Sequence, residues 1–250
     1  ISFKLSKHAL QNNLSNNKKY TKVFNTGILI NHISFLINKM IHYIKATGDF
    51  VPNICITGTN KGIGFALAKK YCQDYHVYAL CRKSSSNLSN LANTTIVEGF
   101  DINLSSARDT AINQIKNIDI LILNAGILHR DTDSIDALEK SITEQIQTNA
   151  ISPFIFTKMA LSKLNPNAKI VFMTSRMGSI EDNLSGGLDG YRMSKTALNA
   201  AGCNLAHQLI DEGKSVFLVH PGYIQTDMTN NSGRNTAEEA ANNIATLMRN

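Results

Sequence analysis

Asn53-Ile-Cys-Ile-Thr-Gly58-Thr-Asn-Lys-Gly62-Ile-Gly64-Phe-Ala-Leu-Ala-Lys-Lys is the stretch on which the fold turns. A short apolar run rich in β-branched residues breaks at Gly58, and Phe65, Leu67, Ala68 and Tyr71 follow at helical period. The stretch therefore reads as a strand, a tight turn and a helix start. Glycine at 58 permits the turn, glycine at 62 lets a pyrophosphate approach the backbone, and glycine at 64 lets the helix pack on a sheet. The free N–H groups of such a helix start face a phosphate. The spacing is Gly-x-x-x-Gly-x-Gly, which is neither Gly-x-Gly-x-x-Gly nor the Gly-x-x-x-x-Gly-Lys-Ser/Thr phosphate loop.

Outward from this stretch, strand and helix patterns alternate, as a parallel sheet covered on both faces requires. Strands are expected at 53–57, 75–81, 94–99, 118–124, 169–175 and 215–220. Ile118-Asp-Ile-Leu-Ile-Leu-Asn124 is nearly continuous in apolar residues, the pattern of a strand buried on two sides. Helices fit 63–72, 105–116, 135–150, 152–163 and 191–210, with one more beginning near Thr236. No internal repeat or linker interrupts residues 51–250, so one domain is expected there.

In Gly190-Tyr-Arg-Met-Ser-Lys195, Tyr191 and Lys195 stand one helical turn apart. A phenol titrates near about 10, and an ammonium within ~4 to 6 Å lowers that value by favouring phenolate. In isolation such a pair is common on solvated helix faces. Its weight comes from the glycine turn more than a hundred residues earlier and from Thr174-Ser175, which ends an apolar strand pattern just upstream.

The 250 residues are 43% hydrophobic and 18% charged, enough for one large core. The formal charge of +6 sits in the first fifth of the chain: residues 1–50 hold seven lysines and one acid, Asp49, whereas residues 51–250 hold 18 basic and 18 acidic side chains. A polyanion-binding face, and with it a nucleic-acid partner, is not expected on the balanced part. Cysteines 55, 72, 81 and 203 show no paired spacing and read as reduced, in a cytosolic-type compartment. Seven scattered histidines give no metal-ligand spacing.

Residues 1–26, rich in Asn, Lys and Ser, read as a poorly structured extension. Within 28–44, Ile30, Ile33, Ile37, Met40, Ile41 and Ile44 form an amphipathic stripe too short and polar for stable membrane insertion. Organelle targeting by residues 1–44, with lysine in place of the usual arginine, is one reading. A fragment, or upstream sequence translated in error, is the other, and a cytoplasmic location is favoured.

Taken together, the Thr57-Gly-x-x-x-Gly-Ile-Gly64 loop, Asn124-Ala-Gly126, Tyr191-x-x-x-Lys195, and Pro221-Gly222 followed by Thr226 resemble the short-chain dehydrogenase/reductase family, in the family's order, over roughly residues 53 to 230. Ser-Arg-Met-Gly-Ser at 175–179, Asp182-Asn183 and Ser185-Gly-Gly187 are similar to its carbonyl-reductase-like and C-factor-like members. The resemblance implies an α/β fold: a Rossmann-type doubly wound parallel sheet in a single domain at 51–250. The family's final strand is not visible in the sequence.

The resemblance also implies hydride transfer to a small aldehyde or ketone. Tyr191 would be the proton donor, Lys195 would lower its pKa and hold the nicotinamide ribose, and Asn149 would support a water-linked relay from Lys195. Ser175 would complete the set; Ser179, closer to Tyr191 in sequence, is the alternative. Cofactor contacts carried over are Thr57, Gly58, Lys61, Gly62, Ile63, Gly64, Arg82, Asp101, Ile102, Asn124, Ala125, Gly126, Tyr191, Lys195, Pro221, Gly222 and Thr226. Asp101 has a second reading as a cap for the helix near Ser105. Arg82 and Lys61 stand where a 2′-phosphate would lie, and no acid occupies Cys81-Arg-Lys-Ser-Ser, so NADPH is expected over NADH. A homodimer through 136–163 and 191–210 is expected from the small residues Ala197, Ala200, Ala201, Gly202 and Ala206, which alternatively pack only on their own sheet. A nucleotide-sensing or signalling protein that does little chemistry, and an inactive fragment, are the other readings of function.

Overall fold

A computed structural model of the chain describes residues 3–5 and 51–249. The extension's amphipathic stripe at 28–44 lies outside these residues. The strands are β1 (Phe3–Leu5), β2 (Asn53–Thr57), β3 (His76–Leu80), β4 (Thr94–Val97), β5 (Ile118–Leu123), β6 (Leu164–Met173) and β7 (Ser215–Val219). The helices are α1 (Gly62–Tyr71), α2 (Ser86–Ser89), α3 (Ser105–Gln114), α4 (Ile135–Ile146), α5 (Ser152–Ala160), α6 (Asp189–Leu209) and α7 (Ala237–Arg249).

Six strands form one parallel sheet in the order 7-6-5-2-3-4, and β2 pairs with both β3 and β5. The chain winds outward in opposite directions from β2 and β5, so a crevice opens beyond their carboxyl ends, where ligands bind in sheets of this kind. This is the doubly wound Rossmann-type sheet. No strand follows β7 among the described residues; the edge beside it is taken by β1, antiparallel, with Phe3 opposite Leu218 and Leu5 opposite Val216. That strand was not foreseen from the lysine-rich start of the chain.

Alternation along each strand sorts the core into two layers. Cys55, Leu121, Leu123, Ile170, Phe172 and Leu218 face Phe156, Leu198 and Leu205. Ile54, Ile56, Ile120, Ile122, Val171 and Phe217 face Leu67, Ala68, Ile244 and Met248. Asp119 interrupts the apolar run of β5 without harm, because its carboxylate accepts hydrogen bonds from Asn53 N (2.8 Å) and Asn165 Nδ2 (2.9 Å).

The expected strand at 169–175 starts earlier, at Leu164, because pairing with β5 resumes across a register shift between Ile118 and Ile120. Expected helix 135–150 stops being α-helical at Ile146 and passes through a π-helical turn, Gln147–Ile151, into α5. Such turns displace the backbone carbonyls and recur at functional sites. Helix α2 was also unforeseen; the Ser85 hydroxyl accepts from Leu88 N and caps it. On α6, Gly202 lies against Leu218 and Phe172, so that part of the small-residue stripe serves the molecule's own sheet, whereas Ala197 and Ala200 are exposed.

Candidate functional site

At the end of β2 the chain turns sharply through Gly58, whose φ of +74° is a left-handed conformation that glycine adopts without strain. Two residues into α1, a Cβ on Gly64 would stand 2.1 Å from Gly58 O, so only glycine lets the helix start close over the turn. Lys61 is the extended N-cap of α1 and supplies no side-chain cap. Phe65 N is the first amide taken, by Lys61 O at 3.3 Å. The amides of Gly62, Ile63 and Gly64 just before it have no intrahelical acceptor, the condition for binding an anion at a helix start, whereas Gly58 N and Thr59 N both donate to Leu80 O.

The turn is stitched to the segment after β5. Thr57 Oγ1 accepts from both Asn124 N and Ala125 N at 3.0 Å, and Asn124 Nδ2 donates to Thr57 O and Gly58 O. Thr226, which caps a short 3-10 turn after β7, brings its methyl group within 3.4 Å of where a Gly62 Cβ would be. Thr57, Gly58, Gly62, Ile63, Gly64, Asn124, Ala125, Gly126 and Thr226 are thus gathered along the crevice, with Pro221 and Gly222 in the stretch leading from β7 to Thr226. These residues fit a dinucleotide by the open amides of Gly62, Ile63 and Gly64 at the helix start and by the close backbone approach at Gly58 and Gly64.

Lys61 is engaged elsewhere, in an ion pair with Asp227 at 2.5 Å. Arg82 is exposed past β3. Asp101 does not cap α3: its Oδ1 accepts from Asn103 N, and Leu104 occupies the cap position with no side-chain bond. Ile102 beside it is buried. Sequence reading missed Glu98, whose carboxylate accepts from Ser84 N at 3.1 Å and so stands against the Arg82 loop. No local sequence signal pointed to it: the pairing of Leu80 with Val97 is what places the residue after each strand side by side.

The second group of side chains gathers at the start of α6. Asn149, in the π-helical turn, is buried; its Oδ1 accepts from Ile127 N (2.8 Å), and its Nδ2 donates to Ile127 O (2.8 Å) and Ser194 Oγ (3.0 Å). Ser194 in turn donates to Tyr191 O. Ser194 was overlooked although it lies inside the Tyr191–Lys195 run, three residues on and therefore on the same helix face. Lys195 is 6% exposed, donates from Nζ to Met173 O (2.8 Å), and lies 5.6 Å from the centre of the Tyr191 ring. A Cβ on Gly126 would meet Asn149 Oδ1 at 3.0 Å and Lys195 Nζ at 3.8 Å, so the segment after β5 joins the two groups.

Ser175 and Ser179 part company here. The Ser175 side chain lies near enough to the Tyr191 phenol to favour its ionised form, while its Oγ accepts from Met177 N at 3.1 Å; Ser179 accepts from Asp182 N in the following loop. Burial pushes the phenol above its ordinary value, and Ser175 pulls it back only in part. The expected lowering by Lys195 does not appear in the protein alone: burial raises the phenol, and the opposing contribution comes from Ser175. Burial also lowers the Lys195 ammonium to about 8.

Residues 52–237 match the family described as short chain dehydrogenase. The chain belongs to that family. It is an NAD(P)-dependent oxidoreductase of the short-chain dehydrogenase/reductase class, and the carbonyl-reductase and C-factor members are among its relatives. It is 30% identical over 185 residues to a 1-hydroxy-2-glutathionyl-2-methyl-3-butene dehydrogenase of Rhodococcus sp. (strain AD45), covering 72% of this chain and 80% of that one. It is 40% identical over 115 residues to C-signal of Myxococcus xanthus, covering 44% of this chain and 68% of that one. The NADPH-bound carbonyl reductase from chicken fatty liver superposes with a TM-score of 0.69 at 25% identity, over 77% of this chain and 84% of that one.

Among the described residues of this short-chain dehydrogenase, no helix is long and apolar enough to cross a membrane, and no cluster of three or more His, Cys, Asp or Glu side chains is placed to hold a metal.

Proposed function

We propose that the protein reduces a small aldehyde or ketone with NADPH, Tyr191 donating the proton. The observation that carries this reading is the convergence of two half-buried side chains, Tyr191 and Ser175, on the buried Lys195, whose Nζ lies 5.6 Å from the centre of the Tyr191 ring. The cofactor supplies hydride to the carbonyl carbon when bound. This chain's side chains manage the oxygen: Ser175 can hold it, and Tyr191 passes its proton to the developing alkoxide. A phenol held above its ordinary pKa is protonated at neutral pH but is a weaker acid than a free one, so it gives up its proton only if phenolate charge is stabilised beside it. Lys195, at about 8, is mostly cationic at pH 7 and restrains phenolate charge as it forms. Both polar atoms of the Asn149 side chain are engaged with Ile127, so its role is to hold the segment after β5 against α6; a relay through that side chain is not favoured.

Two cations at the crevice's adenosine end, Arg82 and Lys61, support NADPH, and the NADPH-bound relative uses the same fold. Cysteines 55, 72, 81 and 203 are free thiols, which suits a reducing compartment. A homodimer through the exposed Ala197 and Ala200 with Ile151 and Ile155 is the assembly we favour; light scattering tests it, and a monomer at all concentrations removes it. The test of the reaction is NADPH oxidation over a panel of aldehydes, ketones and quinones. Turnover of at least one class supports it. Tight nucleotide binding without turnover would favour the second reading, a signalling protein of this fold, which the likeness to C-signal supports.

A further inference from the structure

Helix α6 carries Tyr191, yet the helix begins without any cap of its own. It emerges from the 180–188 loop through Leu188, held at φ 56°, ψ 49°, a left-handed conformation that is costly for a branched side chain, and Leu188 makes no side-chain cap bond. An uncapped start leaves amide groups unpaired and frays. Here the missing acceptor comes from 57 residues away. Asp131, in the segment after β5, accepts from Leu188 N through Oδ2 (2.5 Å) and from Asp189 N through Oδ1 (2.9 Å).

Both ends of this tie are held. The segment that carries Asp131 is fixed by Asn149 at Ile127 and by Gln145 Oε1, which accepts from His129 N at 3.0 Å. The loop is fixed by Arg192, whose Nε donates to Gly187 O (2.8 Å) and whose Nη2 donates to Ser185 Oγ (3.0 Å) and Gly186 O (3.1 Å). Asn183 Oδ1 accepts from Gly186 N. The residues between Ser175 and Tyr191 therefore form a pinned loop, and Asp131 is the pin on the side of the reacting groups. A carboxylate at that helix end also opposes the helix's positive pole.

We infer that Asp131 is a positioning residue for Tyr191: by supplying the absent cap of α6, it keeps the phenol opposite Ser175. The inference rests on the reading of Tyr191 as the proton donor. Misplacing an acid by about 1 Å costs on the order of 100-fold in rate. Asp131→Ala is expected to lower kcat by about 10- to 100-fold with the NADPH dissociation constant within about twofold of the original. It should also speed amide hydrogen exchange at residues 188–192, a readout independent of turnover. Asp131→Asn keeps one acceptor oxygen and should fall between the two, and it serves if the alanine variant does not fold. Unchanged kcat in a folded Asp131→Ala protein, or unchanged local exchange, overturns the inference. So does a loss confined to cofactor affinity. Full activity of Tyr191→Phe sinks the catalytic reading instead, and is distinguished from normal turnover by Asp131→Ala while Tyr191→Phe is inactive.

Discussion

The two ends of the crevice are built on opposite principles. Around Gly58 and Gly64 the site is made of backbone: amides left open at a helix start, a close glycine approach, and exposed charges at Lys61 and Arg82. Around Tyr191 it is made of buried side chains tied over long sequence distances, such as Asn149 to Ile127 and Ser194, and Lys195 to Met173. The first arrangement costs little stability, because it buries no charge. The second buries an ammonium, whose desolvation shows in its lowered pKa. Function at the end proposed to be catalytic should therefore be sensitive to single atoms and opposed to stability, while the proposed nucleotide end should respond in salt-dependent steps.

Tyr191→Phe removes one oxygen and should give the largest effect. We expect kcat to fall by a factor on the order of 10² to 10⁴ while NADPH still binds, as followed by nucleotide fluorescence. Near-normal turnover would erase the contrast by removing the acid from the buried end.

Lys195→Met tests the opposition between function and stability. The shift from 10.5 to about 8 means that the folded protein disfavours the charged lysine. That corresponds to up to about 3 kcal/mol, at about 1.36 kcal/mol per pKa unit. The deficit is fully present below about pH 8 and disappears as pH rises toward 10.5, because over that window the unfolded chain keeps a proton that the folded one has lost. The variant should be inactive yet more resistant to urea at pH 7, by less than the full amount because the bond to Met173 O is also lost. Its advantage should shrink above pH 8. A variant less stable than the parent at both pH values would show that the lysine's bond outweighs its burial.

How far each end was readable in the sequence follows from the same difference. Backbone sites depend on local spacing, so Gly58, Gly62 and Gly64 declared the turn, and near-continuous apolar runs declared the buried strands to within a few residues. Buried side-chain networks depend on contacts across the fold. Asp131 looks like any loop acid until α6 is seen to lack a cap, and Glu98 joins the Arg82 loop only because β3 and β4 pair in register. The choice between Ser175 and Ser179 needed the loop's path. The strand at Phe3–Leu5 was hidden because its partner is β7, more than two hundred residues on.

At the nucleotide end, Arg82→Asp should weaken NADPH binding by about 10- to 100-fold, the equivalent of roughly 1.5–3 kcal/mol for hydrogen bonds to a charged group. NADH binding should change far less. Glu98→Gln should act in the opposite direction by removing a carboxylate from the Arg82 loop. Equal losses for both nucleotides in Arg82→Asp would show that Arg82 does not meet the 2′-phosphate.

The smallest effect should come from Asp227. Lys61 is paired with it at 2.5 Å, with about two-thirds of each side chain exposed (66% and 68%), so the lysine proposed to meet the cofactor's phosphate is held by a competitor. An exposed pair of this kind is worth about 0–1 kcal/mol, so a phosphate can take the lysine at little cost. Asp227→Asn frees Lys61 and removes a negative charge from the path of an anionic ligand. NADPH should bind more tightly by up to about fivefold, the factor that corresponds to 1 kcal/mol or less, and the gain should fade at high salt as exposed charges are screened. NADH measured alongside separates two uses of the lysine. A gain for NADPH alone places Lys61 at the 2′-phosphate, whereas an equal gain for both places it at the shared diphosphate. No gain for either would make the ion pair a strut between the glycine turn and the segment after β7, and the nucleotide end would then rest on side-chain ties as the catalytic end does.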